Sequence, residues 1–255
     1  MFAWRARIGL IKPTHRGKVF AFWYTHAPEG VEIVPTFIGF RSGKKESFIE
    51  AFKRAEELAA QLKEVGCDIV AVSGTPPFLI KGRDFERKWA EDLTKKIGLP
   101  VVTPMEPHAI ALKAMGVKKV AVATYYGDEL NQAIVNYFRR FEIDSLLMPG
   151  LNFSGQQGEG LYTTPLLALD EVSYTDVYRH CKRGLQGVGG SVDAIYINGG
   201  GWDAAPAVEL LERDLKVKVV WALAAEMWLT YHKLSISNPI TGWGSLLSGN
   251  YEPAS

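Results

Sequence analysis

Three short stretches of the chain place uncharged hydrogen-bond donors directly after apolar runs: Ser73, Gly74 and Thr75; Thr124, Tyr125 and Tyr126; and Asn198, Gly199, Gly200 and Gly201. Hydroxyls and free backbone N–H groups are the donors that hold a small anion where no metal or cation does so. Groups able to move a proton stand near them: His15 after the first apolar run, Tyr125 itself, Asp203 behind the glycines, and Glu226 in an alanine-rich stretch. Each has a plainer reading beside the chemical one. His15 can be a loop histidine, Asp203 the cap of the next helix, and Glu226 a partner within its own helix. The glycines can serve a tight turn, and Trp202 and Phe78 can be core aromatics. His26, His108, His180 and His232 fall outside these stretches and are read as surface or packing residues.

Strands and helices must bring the three stretches together. Short apolar runs alternate with amphipathic segments, the order that yields parallel sheets with helices on their faces. The runs predict strands over 6–11, 31–37, 69–73, 101–103, 120–123, 194–197 and 217–221. Most lack a polar face, as strands covered on both sides should. Phe48, Phe52, Ala55, Ala59 and Leu62 recur at helical spacing and predict a helix over 47–65, with Ser47 and Glu50 as a capping box and Gly66 at its end.

The segment GCDIVAVSGT (66–75) is echoed by SVDAIYINGG (191–200): an acidic residue, an apolar strand, a small polar residue and glycine. GLPVVT (98–103) and LKVKVVWA (215–222) each lead into an Ala- and Leu-rich helix. The expected fold is therefore α/β with two similar lobes, each a parallel sheet flanked by helices, related by a pseudo-twofold axis. Loops after equivalent strands then face one another across a cleft. The lobes are expected over 1–114 and 115–223, joined near 114–118, with 224–255 packing back on the first. The polar, glycine-rich stretch NFSGQQGEG (152–160) reads as a loop.

Composition narrows the function. In 255 residues, 29 Lys and Arg balance 28 Asp and Glu, which speaks against a nucleic-acid partner. The longest uncharged apolar run, 219–225, falls far short of the roughly 20 residues that cross a bilayer, so no membrane partner is expected. The opening MFAWRARIGL lacks the long apolar core and cleavage site of a secretion signal, and the chain is expected to be cytoplasmic. Two cysteines, Cys67 and Cys181, make neither a disulfide framework nor a four-ligand zinc site.

Four blocks carry a likeness to a known family: IGLIKPT (8–14), VSGTPPFLIKG (72–82), GLPVVTPMEPHAIALKAMGVKKVAVATYYGDELN (98–131) and INGGGWDAAP (197–206). The chain resembles the arylmalonate decarboxylase and maleate isomerase branch of the aspartate/glutamate racemase superfamily over nearly its whole length. The resemblance implies an interlobe site, no metal and no organic cofactor, and a small malonate-type di-acid as substrate. In such decarboxylases one carboxylate is gripped by neutral donors while the other, in an apolar pocket, leaves as carbon dioxide. Thr75 and Tyr126 match hydroxyl donors of that grip, and Gly199 and Gly200 match its backbone pair on the opposite lobe. Gly74, Tyr125, Asn198 and Trp202 are expected at the substrate.

The departures matter as much. Racemases and isomerases of this superfamily carry two facing cysteines and the decarboxylases one, whereas this chain has Gly74 and Gly199 at the two positions. A further donor position reads Pro76, which has no N–H. Another acid must then return the proton, with His15, Tyr125, Asp203 and Glu226 as candidates. The expected activity is a cofactor-independent decarboxylation through an enediolate. The alternatives are an isomerase or racemase using a non-cysteine pair such as His15 and Asp203, and a carboxylate-binding protein without catalysis.

Overall fold

Val- and Ile-rich runs with no polar face become the strands of two four-stranded parallel sheets. A computed structural model describes residues 3–40, 46–155, 158, 160–237, 239–249 and 251–253, without the side chains of 46–49. The first sheet contains β1 (Ala6–Lys12), β2 (Val31–Phe37), β3 (Ile69–Val72) and β4 (Val101–Val102) in the order β2-β1-β3-β4. The second contains β5 (Lys119–Ala123), β6 (Asp144–Leu147), β7 (Ala194–Ile197) and β8 (Lys218–Trp221) in the order β6-β5-β7-β8. Each sheet thus runs second, first, third, fourth, and every pairing is parallel. Both sheets flanked by helices match the α/β architecture expected from the repeat.

The repeat extends to single hydrogen bonds. Asp68, just before β3, accepts the N–H of Arg7 in β1 at 2.7 Å. Asp193, just before β7, accepts the N–H groups of Lys118 and Lys119 at 2.9 and 2.8 Å. These are the acidic residues that open the two echoed segments, and each ties the start of a third strand to the first strand of its sheet.

Helices α1 (Gly17–Thr25), α2 (Glu46–Glu64), α3 (Thr75–Lys81), α4 (Arg83–Ile97) and α5 (Glu106–Ala114) accompany the first sheet in the sequence. Helices α6 (Asp128–Arg139), α7 (Tyr174–Gly187), α8 (Ala205–Leu215), α9 (Ala222–Lys233) and α10 (Ser245–Ser248) follow. Helix α2 packs closely on β1 because Gly9 has no side chain: a Cβ there would stand 2.7 Å from Leu62 Cδ1. The helix starts at Glu46, one residue before Ser47, so Ser47 is inside its first turn and not at the cap. The Ser47 side chain lies outside the described residues.

Strand β6 has no counterpart among the strands expected from the sequence. It reads DSLL, with Asp144 and Leu147 exposed at a sheet edge, so it carries neither an apolar run nor a clean alternation. The matching edge strand β2 holds Pro35, which an edge tolerates because the missing N–H has no ladder partner to disappoint. Helix α9 is covered all round: every residue from 222 to 231 is buried, packed among α5, β3, β4 and β8. No helix among the described residues is long and apolar enough to cross a membrane.

Candidate active site

At the end of β3 the chain turns through Gly74, whose φ of +111° is a conformation open to glycine and strained for other residues, and enters α3 at Thr75. Pro76 and Pro77 follow and carry no N–H, so this helix start offers few backbone donors and leaves the Thr75 hydroxyl as the polar group there. On the second sheet the turn after β5 is pinned internally. Thr124 Oγ1 donates to Asn131 Oδ1 at 2.6 Å and accepts from the Tyr126 N–H at 3.1 Å, while Asn131 Nδ2 donates to the Tyr126 carbonyl at 2.9 Å. Tyr126 is thereby aimed across the cleft. Its hydroxyl lies 2.7 Å from Thr75 Oγ1, both buried. Two hydroxyls in one mutual bond use one of their two protons and leave the other for a ligand oxygen. Burial holds the Tyr126 phenol well above its ordinary pKa, so it stays a donor at neutral pH.

The pair opens on a cavity of about 90 Å³ between the ends of the two sheets. Its opposite wall is the glycine run after β7. The N–H groups of Gly199 and Gly200 have no acceptor among the described residues, while the Gly199 carbonyl is held by the Trp221 indole N–H at 3.0 Å. Val19, Leu166, Leu169 and Leu223 supply apolar surface. The site therefore offers neutral donors from both sheets beside a hydrocarbon surface, an arrangement that stabilises an oxyanion at the donors and favours loss of charge along the hydrocarbon.

The family model of arylmalonate decarboxylase matches residues 8–247. The chain belongs to the arylmalonate decarboxylase family. The arylmalonate decarboxylase of Bordetella bronchiseptica is 26% identical to it over 221 residues, 87% of either chain. The solved structure of unliganded arylmalonate decarboxylase shares the fold, with a TM-score of 0.80 at 22% identity over 95% of this chain and 98% of that one. So does the maleate isomerase Iso of Pseudomonas putida, with a TM-score of 0.83 at 20% identity over 96% and 98%.

Within this member of the arylmalonate decarboxylase family, Gly74, Thr75, Tyr125, Tyr126, Gly199 and Gly200 all line the cavity. Four other expected residues do not. Asn198 is fully buried and accepts from the Tyr196 hydroxyl at 3.0 Å. Trp202 is fully buried behind the cavity, edge-on to Tyr125 with ring centroids 5.2 Å apart. His15 is exposed and lies against the Phe37 ring. Asp203 is half-buried, and since α8 begins at Ala205 behind Ala204 it is not the cap of that helix either. Cys67 and Cys181 are buried outside the cavity, and burial pushes their thiols up to about 11 and about 12.

Position 199 has no room for a thiol. A Cβ there would stand 2.3 Å from the Tyr125 hydroxyl oxygen and 2.6 Å from Cζ, and φ is +92°. Tyr125 fills that space, accepts the Gly201 N–H at 3.2 Å and is stacked on Tyr162. The phenol and the glycine are one feature: each requires the other.

Three residues gain importance over the sequence reading. Arg16 lines the cavity, its Nε 3.7 Å from Asp170 Oδ2, and adds a cation to a wall expected to be neutral. Glu226, read as pairing within its helix, instead faces the cavity and accepts from Ser73 Oγ at 2.5 Å. His108, read as surface or packing, is fully buried, with Nδ1 2.7 Å from the Tyr196 hydroxyl and Nε2 3.6 Å from Glu226 Oε1. A charged residue inside the otherwise apolar run 222–231 was the signal for Glu226. Of its partners, Ser73 stands among the strand-end donors read from the sequence, whereas His108 from α5 gave no signal.

Proposed function

We propose that this protein is a cofactor-independent decarboxylase of a small malonate-type di-acid. The observation that carries the reading is the buried Thr75–Tyr126 hydroxyl pair, one partner following a strand of each sheet, in one cavity with the N–H groups of Gly199 and Gly200, which have no acceptor among the described residues. One substrate carboxylate sits among these donors. The other lies along the apolar wall, where losing its charge as carbon dioxide is favoured. The electron pair of the broken carbon–carbon bond then enters an enediolate, whose oxygens carry more charge than the starting acid and draw more from the fixed donors. Arg16 supplies a field that attracts an anion to the cavity. The family and the Bordetella relative support this chemistry, and glycine at both positions 74 and 199 speaks against the two-thiol isomerase and racemase route.

The test is carbon dioxide release from phenylmalonate and its α-methyl derivative. Tyr126→Phe and Thr75→Ala should each lower kcat by about 10²-fold, the usual cost of one oxyanion donor. Unchanged rates in both remove the hydroxyl pair from the mechanism. Incorporation of solvent deuterium without carbon dioxide release assigns the cavity to isomerisation or racemisation. Binding without either leaves a carboxylate-binding protein.

A further inference from the structure

We propose that Ser73 and Glu226 deliver the proton that ends the reaction, in the role a thiol plays elsewhere in the superfamily; the inference rests on the decarboxylase reading above. Glu226 is 3% exposed in a helix buried all round, and its ion-pair partner among the described residues is a histidine and not a lysine or arginine. An ionised carboxylate in such a place is costly unless it is paired or protonated. If its task were only to fasten α9 to the end of β3, a neutral amide would hold Ser73 without that cost. Both Ser73 and Glu226 line the cavity, and Ser73 directly precedes the turn at Gly74.

Polar groups stand on both sides of the carboxylate. Ser73 Oγ lies 2.5 Å from Glu226 Oε2, and Glu226 Oε1 faces His108 Nε2, which has no hydrogen-bond partner. The Tyr196 hydroxyl lies 2.7 Å from His108 Nδ1 and 3.0 Å from Asn198 Oδ1. His108 Nε2 and Glu226 Oε1 stand 3.6 Å apart, both buried, which places a second proton-carrying group beside the carboxylate. The titratable and charged groups that face Glu226 are His108 from α5 with Tyr196 behind it, and, among the residues lining the cavity, Tyr125, Tyr126 and the Arg16 cation.

In the reaction the bond to the departing carboxylate breaks and carbon dioxide leaves, its electron pair held in the enediolate. Ser73 turns its hydroxyl proton from Glu226 Oε2 to the carbon and takes in its place the proton that Glu226 carries on Oε2 in its acid form. Glu226 regains one from water after the product leaves, so one solvent proton is consumed for each carbon dioxide released. The Tyr125 hydroxyl, on the Gly199 side of the cavity, is the competing donor.

Two readouts on the full chain test this: carbon dioxide release from phenylmalonate, and deuterium uptake at the α-carbon of phenylacetate in D2O. Glu226→Gln keeps the Ser73 contact and removes the proton, and should lower both rates at least 10²-fold, as loss of a general acid does, with KM changed less than threefold. Ser73→Ala, which adds no bulk, should lower both at least tenfold. Thermal melting followed by circular dichroism checks that each variant is folded. Wild-type rates in Glu226→Gln, or a loss confined to Tyr125→Phe, overturn the proposal while leaving the decarboxylase reading intact. A wild type that exchanges deuterium but releases no carbon dioxide refutes that reading instead, and the exchange rates of the variants still decide the donor. A wild type inert in both assays ends both.

Discussion

Gly199→Ala measures how tightly this site has been rebuilt around a tyrosine. The added methyl would stand 2.3 Å from the Tyr125 oxygen, where no rotation of the methyl relieves the clash, on a backbone with φ +92°. The backbone strain costs about 1–3 kcal/mol. Displacing Tyr125 gives up the hydrogen bond from Gly201, about 1 kcal/mol, and its edge contact with Trp202, about 1 kcal/mol. The expected destabilisation is therefore about 4 kcal/mol. Tyr125→Ala alone should cost about 3–5 kcal/mol as a cavity. In the double variant the methyl enters the space left by the ring, so only the strain remains of the Gly199 effect. The two effects should then fall short of their sum by about 2 kcal/mol. Urea unfolding at 25 °C of the wild type, both single variants and the double variant gives this coupling directly. Additive effects, or a Gly199→Ala variant as stable as wild type, refute the claim that Tyr125 occupies the place of a side chain at 199.

Two further outcomes follow from groups away from the cavity. Glu86 is buried in α4, where it accepts the N–H groups of Met105 and Glu106 at 2.8 and 3.3 Å, and burial pushes its carboxyl up to about 7. Between its ordinary pKa near 4.5 and 7 the folded chain keeps a proton that the unfolded chain has lost, so this contribution to stability falls as pH rises through that window, by roughly 3 kcal/mol. Glu86→Gln should remove that slope from urea midpoints measured between pH 4.5 and 7.5; a slope equal to wild type excludes Glu86 as its source. Asp193→Ala should destabilise by about 1 kcal/mol at pH 7 through loss of its bonds to the Lys118 and Lys119 N–H groups. Those bonds hold the Asp193 carboxyl below its usual range, so the difference from wild type should shrink as pH falls through that lowered pKa, and a difference that persists at pH 2 counts against them.

Several site residues could be read before folding because their surroundings are local. Thr75, Tyr126, Gly199 and Gly200 each follow a strand at its carboxyl end, and a parallel sheet places all such ends on one side. The same logic oversupplied candidates. His15 and Asp203 also follow strand ends, but the path of the chain beyond the strand decides where a side chain points: His15, as far past β1 as Thr75 is past β3, lies on Phe37, and Asp203 stands beyond the turn that buries Trp202. Strand β6 was lost for a different reason, since an exposed edge lacks the periodic apolar pattern that marks a buried strand.

Taken alone, then, the order of apolar runs and the echoed Asp–strand–Gly segments determined a doubled α/β fold with neutral donors at its strand ends, and the family resemblance, with glycine at positions 74 and 199, implied the need for another acid. These properties depend on neighbours a few residues apart. Tertiary structure alone decided which acid meets the cavity. Ser73 and Glu226 are 153 residues apart, and His108 comes from a third element. Their meeting depends on how a fully buried α9 settles among α5, β3 and β4, a packing of surfaces with no periodic trace along the chain.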